Sequence, residues 1–178
     1  MENKKRPWID KPEVKKGSIG EKIVNEILTK KGYIVYRPIT EGAHKIDFFA
    51  HKEDADKKVI AVEAKAKKRM CYYCETGFNY NSFLHYKEIQ EKHNMDTYVY
   101  FIDDFEEYVY GAWLSDLGDG RRITTIYDDV IVWSLGKMEL HRKLTSEEII
   151  ELAKYTKENY DYSKVTKYFD IDFLQLNR

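Results

Sequence analysis

Only two of the 178 residues are cysteine and three are proline. A disulfide framework is therefore excluded as the basis of the fold, and stability has to come from a buried core. The two cysteines, Cys71 and Cys74, form a Cys-x-x-Cys pair. That spacing is open to three readings: half a zinc site, a redox pair, or a coincidence of composition. No second Cys/His pair is spaced to complete a four-ligand zinc site. Long apolar runs are also missing, since nothing approaches the roughly 20 residues a bilayer-spanning helix requires. The expectation is a protein without a membrane partner. The start of the chain, Met1 to Trp8, is basic but has no apolar stretch behind it, so a secretory leader is not expected and a cytoplasmic location is. There is no Gly-rich phosphate loop and no Gly-x-Ser-x-Gly elbow, and His85, His93 and His141 show no paired metal-ligand spacing.

What is present is the composition of an ordinary soluble protein, 43% hydrophobic and 34% charged. The length suits one domain over residues 1–178, with no linker or repeat to divide it. The net charge of −1 conceals an asymmetry: residues 1–70 hold 18 Lys and Arg against 11 Asp and Glu, and the remainder holds 12 against 20. A basic first half can offer a local phosphate-attracting surface on a protein that is neutral overall, although a lysine-rich solvated face gives the same count.

Along the chain, Ser18 and Glu21 have the S-x-x-E form of a helix capping box, followed by an apolar arc of Ile19, Ile23, Val24, Ile27 and Leu28. Lys30-Lys31-Gly32 supplies the stop, so the pattern predicts a first helix from about Ser18. Strands are expected at 33–36, 45–51 and 59–66, the last two as an antiparallel hairpin. An aromatic and polar loop over 71–80 leads into a helix over about 81–93, in which Phe83, Tyr86 and Gln90 share a face. Further strands are predicted at 97–102, 107–114, 122–127 and 130–135. Thr145 with Glu148 opens a last helix running through about Asn159. The expected class is α/β, a mixed sheet flanked by helices.

Within this frame, two strands carry charges where apolar residues belong. Glu63 and Lys65 interrupt the run Val59-Ile60-Ala61-Val62, and alternation puts both on one face of the strand. Acid-x-lysine spacing alone is common here, as in Glu2-Asn3-Lys4 and Glu13-Val14-Lys15. Position distinguishes Glu63-Ala64-Lys65, because buried charges are costly unless compensated. Asp47 is a similar intrusion between Ile46 and Phe48. An in-register hairpin would bring it within reach of the same cation as Glu63, because neighbouring strands lie roughly 4.8 Å apart.

Glu21, Ile46-Asp47 and Glu63-Ala64-Lys65 together resemble the PD-(D/E)XK nuclease superfamily, with Ile46 standing where that motif has proline. The likeness covers about residues 17–102, leaving 103–178 as a C-terminal elaboration. It implies a restriction-endonuclease-like αβββαβ core in which Asp47 and Glu63 bind Mg²⁺ or Mn²⁺. It further implies that Glu21 assists with the metal and that Lys65 orients or helps deprotonate the water attacking a phosphodiester. Because the family mostly cuts DNA, DNA is the expected partner.

Structural roles compete for the same residues. Glu21 could merely complete the capping box, and Asp47 with Lys65 could be a cross-strand ion pair. The run Lys67, Lys68 and Arg69, followed by Tyr72, Tyr73, Phe78 and Tyr80, is the candidate for holding nucleic acid. Its cations would meet phosphates and its rings would stack on bases. Gln90 is a weaker candidate for substrate contact. The expected function is a metal-dependent endonuclease hydrolysing DNA. Two alternatives stand beside it: an inactive nucleic-acid-binding domain of the same fold, and an interaction module using the acidic second half. A homodimer is compatible with an uncovered sheet edge.

Overall fold

A computed structural model of the chain describes residues 8–39, 46–53, 58–69, 73–124 and 128–156. The first helix, α1 (Pro12–Lys30), begins six residues before the expected start. Lys11 is the extended N-cap residue, and proline suits the first helical turn because it has no N–H to leave unsatisfied. Ser18 lies inside the helix, where its hydroxyl donates to the carbonyl of Val14, so it caps nothing. The apolar arc falls as expected, with Ile23, Val24, Ile27 and Leu28 buried. Gly32 ends the turn with φ +80°.

The strands β1 (Tyr33–Tyr36), β2 (Phe48–Lys52) and β3 (Ile60–Ala66) form an antiparallel meander. The polypeptide then crosses through β4 (Glu75–Asn79) and α2 (Tyr80–His93) to β5 (Thr97–Asp103), which lies parallel to β3. Two more antiparallel strands, β6 (Tyr108–Trp113) and β9 (Glu139–Lys143), complete a six-stranded mixed sheet ordered β1-β2-β3-β5-β6-β9. Helices flank this sheet. Its element order contains the αβββαβ core, consistent with a restriction-endonuclease-like fold.

Three expectations need correction. The segment read as a loop over 71–80 contains β4, a strand that belongs to a second sheet. That sheet is antiparallel and ordered β4-β8-β7, with β7 (Arg121–Thr124) and β8 (Asp129–Ser134), so the later strands do not all extend the first sheet. The third correction is β9, a charged strand with no apolar alternation, which exists because β6 supplies its hydrogen bonds. Between β6 and β7 lies the four-residue helix α3 (Leu114–Leu117). The last helix, α4 (Ser146–Ala153), does open on the reciprocal capping box of Thr145 and Glu148. It ends at Ala153 with Lys154 as its C-cap, short of the expected Asn159, because residues 154–156 form a turn; Lys45 and residues 125–127 and 157–159 lie outside the described residues.

The six-stranded sheet separates two cores. On one face, α1 and α4 pack through Ile23, Leu28 and Leu152 against Phe48, Val62, Ala64 and Ile102. On the other, Phe83 and Tyr86 of α2, Phe78 of β4 and Trp133 of β8 meet Ala61, Val99 and Phe101. Alternation along β3 therefore sends Val62 and Ala64 toward α1, and Ala61, Glu63 and Lys65 toward α2 and the small sheet.

Candidate metal and phosphodiester site

Glu21, Asp47, Glu63 and Lys65 line one open cleft of about 510 Å³ at the C-terminal end of β3. Three local features bring them there. In the β2–β3 register Phe48 faces Val62, so one further step sets Asp47 beside Glu63. The Asp47 carboxylate then accepts a hydrogen bond from the backbone N–H of Ala64 at 2.8 Å, which ties it to the strand between Glu63 and Lys65. On the helix side, Gly20 lets α1 close on β3, since a Cβ there would lie 2.8 Å from that of Ala66. This approach carries the neighbouring Glu21 to the rim.

Glu63 is the most unusual group in the cleft. It is 5% exposed. One carboxylate oxygen receives the Lys65 ammonium at 2.5 Å, while the other, Oε2, is buried without a hydrogen-bond partner. Burial raises its carboxyl from 4.5 to about 7, and the Asp47 charge pushes the same way against the pull of Lys65. Tyr86 of α2 lies beneath, with its hydroxyl 3.4 Å from the Lys65 ammonium. Burial and the adjacent Glu63 drive the Tyr86 phenol strongly upward, so its hydroxyl stays protonated and available as a donor.

The donor set fits a hard divalent cation. Two carboxylates stand side by side at adjacent strands, one of them with a buried oxygen that has no hydrogen-bond partner, and Mg²⁺ prefers one or two carboxylates plus water and phosphate oxygens. Glu21 is engaged differently, since Arg37 forms an ion pair with it across the cleft. Among the described residues, no group of three or more His, Cys, Asp or Glu converges on a metal-sized space. The expected capping-box role of Glu21 is ruled out by the helix start at Pro12. Lys65 pairs with Glu63, the acid on its own strand.

The expected nucleic-acid contacts are divided by the structure. Lys67, just past the end of β3, lines the cleft; burial, with Lys65 nearby, lowers its ammonium to about 8. Lys68 lies 4.6 Å above the ring of Phe105. Arg69 is committed to Glu106 and also touches Cys74. Tyr73 is 56% exposed, with the Arg121 guanidinium over its ring. Tyr72 and Cys71 lie outside the described residues. Gln90 is partly buried on α2 and does not line the cleft. Phe78, expected as a stacking residue, is a core residue at 4% exposure. Arg37 went unnoticed in the sequence because a lone arginine before a proline carries no pattern; only α1 packing brings Glu21 to it.

Among solved structures, the chain is similar to the Holliday junction resolvase Hjc of the archaeal hyperthermophile Archaeoglobus fulgidus, at 14% identity and a TM-score of 0.43, over 65% of this chain and 87% of that one. No protein-family model matches the chain, and no curated protein does.

Proposed function

We propose that this protein is a metal-dependent endonuclease that hydrolyses DNA phosphodiester bonds. The observation that carries the reading is the buried Glu63 carboxylate, one oxygen unpartnered, set beside Asp47 and Lys65 in an open cleft. Asp47 and Glu63 would hold Mg²⁺ or Mn²⁺, with Glu21 assisting from the rim. When bound, the cation supplies concentrated positive charge that offsets charge growing on a phosphodiester and acidifies nearby water. Lys65 orients the attacking water, or takes part in its deprotonation, from a position fixed by Glu63. Lys67, with Lys68 and Arg69 further along, draws the DNA backbone toward the cleft, and Tyr72, Tyr73 and Gln90 contribute to its contacts. The resemblance to restriction-endonuclease-like nucleases supports DNA as the substrate and is compatible with a homodimer that cuts two strands.

The test is cleavage of labelled single-stranded, duplex and branched DNA with Mg²⁺ or Mn²⁺, comparing the native chain with Asp47→Ala and Lys65→Ala. Metal-dependent cutting lost in both variants supports the reading. A native protein that binds DNA but cuts none of these substrates would place it among inactive binding domains of this fold.

A further inference from the structure

The Lys65 ammonium is enclosed on the side away from the cleft. The centroid of the Phe78 ring is 5.7 Å from its Nζ and that of Tyr86 is 5.8 Å away. The two rings meet edge to face, their centroids 5.5 Å apart. Phe78 is itself wedged against Trp133 at 5.4 Å and Phe101 at 6.1 Å. It comes from β4, an edge strand of the small sheet that pairs antiparallel with β8. A Cβ on Gly77 would sit 1.8 Å from the Ile131 carbonyl oxygen, so glycine next to Phe78 is what allows this approach.

We propose that Phe78 and Tyr86 are positioning residues that form an aromatic seat for Lys65, so that the small sheet acts on the reaction by holding this ammonium against Glu63. The proposal rests on the nuclease reading for its catalytic consequence, and on geometry alone for the seat. A cation near aromatic faces is attracted by the ring quadrupole, most strongly where water is excluded. Both rings are buried, Tyr86 at 3% exposure, and the Tyr86 hydroxyl lies 3.4 Å from the same ammonium. Without the seat, a four-carbon side chain at a cleft rim has many rotamers that leave Glu63.

The test reads Lys65 directly. In the full chain labelled with ¹³C-lysine, and with Lys65→Arg to assign the signal, the ε-methylene resonances of Lys65 lie upfield of the other lysines through the ring currents of Phe78 and Tyr86. Phe78→Leu returns them toward the common lysine position and lowers kcat about tenfold with KM unchanged. Tyr86→Phe keeps the ring shift and lowers kcat less. Phe83→Leu is the control, since Phe83 packs on Trp133 in the same core without a contact to Lys65. It loses comparable thermal stability and leaves both the Lys65 shift and the kcat/KM split unmoved. Native Lys65 resonances that coincide with those of exposed lysines, or that Phe78→Leu fails to move, overturn the seat. A native upfield shift in a protein that cuts no DNA leaves the seat standing and removes the nuclease reading.

Discussion

Two carboxylate pairs, each with one buried member, sit at the neighbouring strands β3 and β5 of the six-stranded sheet, and their surroundings differ. At the end of β5, Asp103 accepts hydrogen bonds from the backbone N–H groups of Phe105 and Glu106 through one oxygen, closing a turn. Asp104 is paired with Lys16 of α1 and accepts from the Thr156 hydroxyl at 2.8 Å. At β3, Asp47 accepts from the backbone N–H of Ala64 and Glu63 receives the Lys65 ammonium. Both pairs keep oxygens without a partner, so an orphaned atom by itself does not mark a site. Access does: Glu63 and Asp47 line the cleft, and Asp103 and Asp104 do not. One pair joins β5 to α1 and to Thr156, beyond the end of α4. The other lines the open cleft together with Lys65 and Lys67.

Substitutions separate the two pairs, and the largest effect is expected on activity. Asp47→Ala lowers DNA cleavage at least a hundredfold, on the scale of losing a main electrostatic group in a catalytic site, while leaving the melting temperature near that of the native chain. Asp104→Ala does the reverse. It leaves the nearly buried Lys16 ammonium without its counter-charge and lowers stability by about 3 kcal/mol in urea titrations, with activity per folded molecule retained.

The pH dependence of stability sharpens the contrast. Glu63 has its carboxyl raised to about 7 in the folded chain, so the folded state holds a proton that the unfolded state releases near 4.5. Its contribution is full below pH 4.5 and is lost as pH rises through about 7. The metal-free protein therefore weakens over that interval, by at most about 3 kcal/mol from this group. Glu63→Gln removes this component, and its urea midpoint at pH 8 exceeds that of the native chain. Smaller still is the effect at the α1–β3 contact. Gly20→Ala forces a Cβ to within 2.8 Å of Ala66 and costs about 1–3 kcal/mol, with reduced cleavage because Glu21 and β3 move apart.

Much of the αβββαβ order can be read from the chain because its elements carry their own periodicity. The arc of α1 and the runs of β1, β3 and β5 need no distant partner to be recognised. The start of α1 misleads because Ser18 and Glu21 satisfy a capping pattern that a serine inside a helix can imitate, its hydroxyl turning back to Val14. β4 and β9 were hidden for a different reason. Glu75–Asn79 contains a glycine and little apolar alternation, and Glu139–Lys143 is charged, as edge strands tend to be. Each becomes a strand through pairing with β8 or β6, residues far away in sequence. The division into two sheets follows from those same non-local pairings.

At the site, Asp47, Glu63 and Lys65 are visible as charges in apolar strands, and their gathering on one cleft follows from hairpin register and strand alternation. What the sequence does not contain is the surrounding support. Phe78 reads as an exposed stacking residue until the small sheet turns it into the core, and Arg37 has no mark until α1 brings Glu21 opposite it. The basic run is legible as a run, but its members differ: Lys67 enters the cleft, Lys68 covers Phe105 and Arg69 pairs with Glu106.

Of the two carboxylate pairs, Asp47–Glu63 rather than Asp103–Asp104 is the one proposed to take a divalent cation. Calorimetric titration of the metal-free protein with Mn²⁺ at pH 8 tests it most directly, using the native chain, Asp47→Asn and Asp104→Asn. A binding isotherm is expected for the native chain, lost in Asp47→Asn and kept in Asp104→Asn. No binding by the native chain, or binding that survives in Asp47→Asn and disappears in Asp104→Asn, would contradict the proposal.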